Sequence, residues 1–193
     1  MPRALALAMA AYFQVHGVPR LAILVLIGFH CLLRPAEAMN LTADDVIPFT
    51  ADNSMEYSGV AGVVRIRRPK TSRMPAHARH QFALVEDAKL MSFFGGMLQS
   101  GLLPHGQALW PEGEGALLKH WHRALLCLGI SELPVAPASL RSGGATDYFL
   151  RHRDVSSLRR RGRWLSERTL ERYLQEAVFL ITESSVKNVT LSP

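Results

Sequence analysis

The chain is poor in cysteine and has no long uninterrupted apolar run. Its two cysteines, Cys31 and Cys127, each lie in an apolar stretch, which excludes a disulfide framework and predicts two buried thiols in a reducing compartment. The longest apolar run, residues 21–33, is interrupted by His30 and is shorter than the roughly 20 apolar residues of a membrane span. We therefore expect a buried core helix there, and no insertion in a membrane.

Lysine is also scarce, because 18 of the 22 basic residues are arginine. Against 16 acidic residues they leave a net charge of +6, and a planar guanidinium binds phosphate through paired hydrogen bonds. Between Arg151 and Arg172 eight arginines stand against three acidic residues, with Trp164 inside the run and Tyr173 just after it. This composition favours a polyanionic partner such as nucleic acid, and a solvated charged helix face is the alternative.

The hydrophobic pattern predicts one domain, residues 1–193, that is mostly α with a small β-hairpin. A length of 193 residues with 48% hydrophobic residues suits a single globular unit. Alternating apolar residues predict strands over 63–67 and 80–85, joined by the basic turn 68–73. Helical periodicity predicts an opening helix that ends before His16, a second from about residue 19 to Leu33, and further helices near 35–40, 86–99, 114–129, 139–152, 154–161 and 166–181.

Three separated segments carry arginines in a defined pattern, with a tyrosine downstream. The first reads L-R-x-x-E-x-x-x-L-x-x-x-D and contains Arg34, Glu37, Leu41 and Asp45. The second contains Leu140, Arg141, Ala145 and Thr146. The turn between the strands holds Lys70, and Trp164 precedes Tyr173 by nine positions. In order and in spacing this set resembles the catalytic domain of the tyrosine recombinases, also called the phage integrase family.

The resemblance implies a DNA-breaking and rejoining enzyme that needs neither metal nor cofactor. Tyr173 would attack the scissile phosphate and form a 3′-phosphotyrosyl intermediate. Arg34 and Arg141 would clamp the phosphate oxygens, Lys70 would protonate the leaving 5′-oxygen, and Trp164 would hydrogen-bond the phosphate through its indole N–H. The resemblance thus predicts a site-specific recombinase or integrase.

The resemblance also implies supporting and DNA-contacting residues. Glu37 is expected to support Arg34 rather than touch substrate. The arginines expected to contact DNA are Arg68, Arg73, Arg159, Arg160, Arg161 and Arg163. The partner would be double-stranded DNA, with self-association of several copies on it, and the protein would be intracellular and DNA-associated.

Two departures from the family pattern suggest a slow or inactive enzyme. The family has a histidine three residues before the second arginine, whereas this chain has Ala138. A general base contributes about 10²–10⁴-fold, so its loss predicts slow cleavage. The family also has an upstream DNA-clamping domain, and Met1 here stands at what resembles the first catalytic helix. The alternative function is therefore a catalytically inactive DNA-binding remnant of a mobile element.

Other interpretations of the same residues stay open at this point. A type IB topoisomerase would use the same arginine, lysine and tyrosine chemistry. A metal-dependent hydrolase would need a set of metal ligands. The spacing of the available histidines matches no metal-binding motif; they are His77, His80, His105, His120 and His122. Taken singly, Arg34 with Glu37 also suits an ordinary i,i+3 ion pair, Lys70 a solubilising turn residue, and Tyr173 a core tyrosine.

Overall fold

The structure is a computed structural model, and it describes residues 1–49, 59–67, 81–164, 168 and 170. The chain divides into two compact units, Met1–Gly144 and Ala145–Pro193. The described residues contain seven α-helices and one antiparallel three-stranded sheet. The predicted class, mostly helical with a small β element, is therefore confirmed.

Two helices that pack against each other open the first unit. Helix α1 (Arg3–Val15) buries Met9, Ala10 and Phe13 on one face, as its apolar spacing predicts. The chain then reverses at Gly17, whose φ of 74° suits glycine, and Pro19 begins helix α2 (Pro19–His30). Eight of the twelve residues of α2 are buried, so the apolar run is a core helix as predicted.

Helix α2 ends earlier than the apolar pattern predicts. Leu32 lies in the left-handed region with φ 53°, where glycine is usual. The amide of Leu32 donates to the carbonyl of Phe29 (3.4 Å), and the amide of Leu33 donates to the carbonyl of Gly28 (3.0 Å). These bonds form a Schellman end without its usual glycine, which is why the predicted boundary at Leu33 is wrong.

The small sheet has one face against the core and one face toward solvent. Its strands β1 (Val46–Pro48), β2 (Gly62–Ile66) and β3 (Gln81–Val85) lie in this order and pair antiparallel. Val64 and Ile66 of β2 are buried, while their neighbour Arg65 points to the other face, opposite Phe82. Strands β2 and β3 are confirmed, but β1 was not predicted because it has only three residues and ends in a proline.

The remaining helices follow the predicted segments closely, with ends shifted by at most two residues. The helix Ser139–His152 keeps the predicted bounds, and the helix predicted over 166–181 lies outside the described residues apart from 168 and 170. These elements are α3 (Pro35–Met39), a 3-10 turn (Ala43–Asp45), α4 (Ala88–Gln99), α5 (Gly113–Cys127), α6 (Ser139–His152) and α7 (Val155–Gly162).

The two cysteines have different environments. Cys31 is buried as predicted, whereas Cys127 is exposed. The buried positions of α5, among them Leu117, Trp121 and Ala124, recur with the helical period, and Cys127 falls on another face of the helix. The prediction of two buried thiols is therefore wrong for Cys127. Among the described helices, none combines the length and the apolar character that crossing a membrane requires.

Candidate active site

The short segment after α2 places Arg34 and Glu37 together. Arg34 has extended backbone angles and caps α3, and Pro35 occupies the first helical position, where its missing N–H costs nothing. The Glu37 carboxylate turns back and accepts the backbone N–H of Arg34 at 2.9 Å. It also accepts Nη1 of Arg34 at 2.7 Å. The i,i+3 ion pair weighed from sequence is therefore present, as part of a helix start.

Glu37 also joins Arg34 to Arg141, which comes from the first turn of α6. The Arg141 side chain is 6% exposed, and its Nη1 lies 4.0 Å from the Glu37 carboxylate. The same nitrogen donates to the carbonyl of Leu32, the left-handed residue that ends α2. In the described part of the chain two arginines thus share one carboxylate, and a pair of positive charges at one negative charge suits an anionic ligand.

The two arginines differ in their access to solvent. The Arg34 side chain is 25% exposed and has an open edge, whereas Arg141 and the 2% exposed side chain of Glu37 lie beneath it. A buried charge with few water contacts keeps its position because moving it would break its hydrogen bonds. Arg141 is therefore fixed by the fold, and Arg34 is the more accessible of the pair.

Glycines let α6 approach the end of α2 closely enough to deliver Arg141. A Cβ on Gly144 would collide with the carbonyl oxygen of Phe29 and would lie 2.7 Å from Cδ2 of Leu32. On the opposite side, a Cβ on Gly28 would lie 3.3 Å from Cδ1 of Leu140. Gly143 and Gly144 stand next to each other in α6 and lower its helix propensity. The close contact of α6 with the end of α2 is the compensation that the helix requires.

Ala138 stands at the start of α6, where its carbonyl accepts the backbone N–H of Arg141 at 3.2 Å. It lines an apolar cavity of about 200 Å³ in the first unit, together with Leu33, Pro35 and Trp121. The methyl group of Ala138 has no atom that could accept a proton. The departure from the family pattern therefore leaves an apolar wall at this position.

The second unit holds Trp164 and the arginines of α7. Trp164 is 6% exposed, and its ring packs so closely on Gly162 that a Cβ there would collide with it. Its carbonyl accepts Nε of Arg159 at 3.4 Å. The guanidinium of Arg161 lies 4.7 Å from the ring centre of Tyr148. These arginines are thus partly engaged within their own unit.

Two further arginines of this run differ in exposure. Arg160 is exposed and donates to Ser157 Oγ at 3.1 Å. Arg163 has φ 56° at the end of α7 and is half-buried. The remaining predicted residues, Lys70, Arg68, Arg73 and Tyr173, lie outside the described residues.

Two of the histidines weighed as metal ligands have other partners, and His77 and His80 lie outside the described residues. His105 Nδ1 lies 2.9 Å from the Asp44 carboxylate, and the His120 ring meets the edge of Trp110 with centroids 5.6 Å apart. In the stretches that the structure covers, no three His, Cys, Asp or Glu side chains come together. His105 and His120 therefore have structural contacts that account for them.

A second basic cluster was not singled out from sequence. Asp45, at the end of the 3-10 turn, is fully buried and accepts Nε of Arg65 at 3.0 Å and Nε of Arg67 at 2.6 Å. It also accepts the backbone N–H of Thr42 at 3.0 Å and the Thr42 hydroxyl at 2.9 Å. Burial raises the pKa of Asp45, but the hydrogen bonds from Thr42 and the two arginines outweigh it, so that the pKa is lowered. Two arginines spaced i,i+2 along a strand are the signal that sequence offers for this cluster.

Comparison with known proteins identifies the fold but finds no sequence relative. No family model matches the chain, and no curated protein matches it. The solved structures that match it include XerH site-specific recombinase bound to palindromic difH substrate in a post-cleavage complex, and XerH bound to difH substrate in a pre-cleavage complex.

The similarity to both structures extends over nearly all of the chain. The first has a TM-score of 0.66 at 14% identity, with 96% of this chain covered. The second has a TM-score of 0.65 at 15% identity, with 92% covered. The chain spans about half the length of these proteins, 52% and 51% respectively. The protein therefore has the fold of a tyrosine recombinase catalytic domain.

Proposed function

We propose that the protein binds double-stranded DNA and cleaves and rejoins its strands through Tyr173, as a site-specific recombinase. The observation that carries the proposal is the junction of Arg34 and Arg141 at Glu37, formed from two distant segments of the chain. This junction occurs in a fold like that of XerH, which is a recombinase bound to its DNA substrate. The excess of positive charge at the junction suits a phosphodiester.

In this mechanism the phosphodiester bond is exchanged and not hydrolysed. The Tyr173 oxygen attacks the scissile phosphorus, the bond from phosphorus to the 5′-oxygen breaks, and Lys70 gives its proton to that oxygen. Arg34 and Arg141 neutralise the non-bridging oxygens, and Trp164 contributes an indole N–H. A second 5′-hydroxyl then attacks the phosphotyrosine and releases Tyr173. No metal or cofactor takes part in these steps.

The proton of the Tyr173 hydroxyl passes to solvent, because Ala138 cannot accept it. We therefore expect slow cleavage. The other basic residues, Arg68, Arg73 and those of α7, hold the DNA backbone, and several copies assemble on the DNA inside the cell. The same absence of a base at Ala138 favours the second candidate function, a DNA-binding protein that no longer cleaves.

The test uses a library of fluorescent nicked duplexes with randomised central segments. A nick next to the cleavage position lets the leaving fragment diffuse away, so the covalent intermediate accumulates. Denaturing gels should show a protein–DNA adduct with the unaltered chain and none with Tyr173→Phe. The matched control is Tyr12→Phe, which removes a hydroxyl in α1 that donates to Cys127.

Three outcomes separate the candidate functions. An adduct that Tyr173→Phe abolishes and Tyr12→Phe retains supports the recombinase. Duplex binding without any adduct supports the non-cleaving DNA-binding protein. An adduct that persists in Tyr173→Phe would refute Tyr173 as the nucleophile.

A further inference from the structure

The carboxylate of Asp45 has no capacity left for further hydrogen bonds. One oxygen accepts both donors of Thr42, and the other accepts Nε of Arg65 and Nε of Arg67. Four bonds fill the acceptor sites of a carboxylate. A single arginine would have neutralised Asp45, so the second arginine leaves one positive charge beyond what the carboxylate needs.

The outer edges of both guanidinium groups remain available. Nη2 of Arg67 donates to the Thr42 hydroxyl at 3.2 Å, and Nη2 of Arg65 makes only a long contact of 3.5 Å with the carbonyl of Asp44. Within the described part of the chain, Nη1 of neither arginine makes a hydrogen bond. The side chains are 35% and 42% exposed, so these donors are accessible to a ligand.

The neighbouring acidic group is already engaged elsewhere. The Asp44 carboxylate lies 2.9 Å from His105 Nδ1 and accepts the backbone N–H of Gly106 at 3.0 Å. It therefore does not compete for Nη1 of Arg65 or Arg67. Among the residues that the structure describes, the accessible donors of the two arginines therefore face no carboxylate of their own.

We propose that Arg65 and Arg67, oriented by Asp45, form a clamp for a phosphate of the DNA backbone. A guanidinium already fixed through Nε loses little conformational freedom when it binds, which favours phosphate over looser ionic contacts. The inference rests on the proposed function for its partner, DNA. Lys70, the proposed proton donor, follows Arg67 by only three residues in the sequence.

The experiment measures the salt dependence of binding to a fluorescent 20-base-pair duplex of mixed sequence. The logarithm of the association constant falls with the logarithm of the salt concentration, and each lost phosphate contact reduces the steepness of that fall by about 0.9. A variant that lacks one contact therefore gains about eightfold less affinity than the unaltered chain when the salt is lowered from 1 M to 0.1 M. Arg65→Gln and Arg67→Gln should each show this loss. The control is Arg20→Gln, which removes the same charge from α2, where Arg20 donates to the carbonyl of Leu102 at 2.8 Å.

A second measurement needs no variant. Phenylglyoxal modifies accessible arginines, and mass spectrometry then locates the modified peptides in the unaltered protein. The duplex should protect Arg65 and Arg67 at least threefold more than Arg20. This readout stays decisive if either glutamine variant fails to fold.

The outcomes distinguish this proposal from the one on which it rests. A duplex that does not bind the unaltered chain at all would refute the proposed function. Binding that is salt-dependent, with slopes unchanged in both glutamine variants and equal modification of all three arginines, would refute the clamp alone. Lower slopes in both variants together with protection of Arg65 and Arg67 would support it.

Discussion

Replacing Glu37 by glutamine tests whether one buried carboxylate holds the two arginines of the candidate active site. The amide keeps the size of the side chain and one oxygen acceptor, but it removes the charge and replaces the second acceptor by a donor. Arg34 approaches the carboxylate through both its backbone N–H and Nη1, at 2.9 and 2.7 Å. One of these two bonds is therefore lost, and an N–H group then faces a donor.

The expected cost follows from how deeply each partner is buried. Removing one member of a buried ion pair costs about 3–5 kcal/mol. Arg34, with a side chain that is 25% exposed, regains hydration, whereas Arg141, at 6%, stays shielded from water and keeps its hydrogen bond to the carbonyl of Leu32. We therefore expect Glu37→Gln to lower the free energy of unfolding by about 2–3 kcal/mol, below the fully buried range.

Urea unfolding followed by tryptophan fluorescence and circular dichroism measures this change. Glu114→Gln serves as the control because Glu114 lies exposed in the first turn of α5. Its effect should stay within about 0.5 kcal/mol. A Glu37→Gln effect no larger than that of the control would show that the carboxylate does not hold the arginines, and the account of the site would fail.

Three further predictions concern α6, acid stability and the rate of cleavage. Gly144→Ala should destabilise the fold by about 1–3 kcal/mol in the same urea assay, because the new methyl group meets the carbonyl of Phe29; unchanged stability would contradict the close contact. The lowered pKa of Asp45 means that its stabilising effect is complete above the ordinary carboxyl pKa and is lost as the pH falls through the lowered value. In the Asp45→Asn variant the free energy of unfolding should therefore fall less steeply below about pH 4 than in the unaltered chain. Ala138→His should raise the single-turnover cleavage rate about 10²-fold on nicked duplexes if proton removal limits the reaction, and an equal rate would exclude that limit.

Local sequence signals predicted most of the helices and strands. Helix α6 has the predicted bounds because its apolar spacing continues to its basic last turn. The end of α2 was missed because a left-handed leucine, Leu32, takes the place where a glycine would have marked the boundary. Strand β1 was missed because three residues give no measurable alternation, and its pairing with β2 depends on contacts distant in sequence.

The candidate site was predictable as a set of residues but not as a geometry. The pattern singled out Arg34, Glu37 and Arg141, and the fold brings these three together. Their different exposures could not be predicted, because the burial of Arg141 depends on the Leu32 carbonyl and on the close approach at Gly144. Both contacts form between helices that are far apart in the sequence, so a local sequence pattern does not predict them.

The two basic clusters follow one physical rule, which explains why arginine rather than lysine suits the four basic positions in them. Glu37 and Asp45 lie eight positions apart, and each is a buried carboxylate shared by two arginines. An arginine can donate one N–H to a buried carboxylate and still present a planar edge with further N–H donors, whereas the ammonium group of lysine acts as a single point charge. One short segment therefore orients the charge of two separate clusters. A change that moves the segment from Glu37 to Asp45 should weaken the arginine contacts of both clusters. Loss of one carboxylate should disturb only the two arginines that contact it.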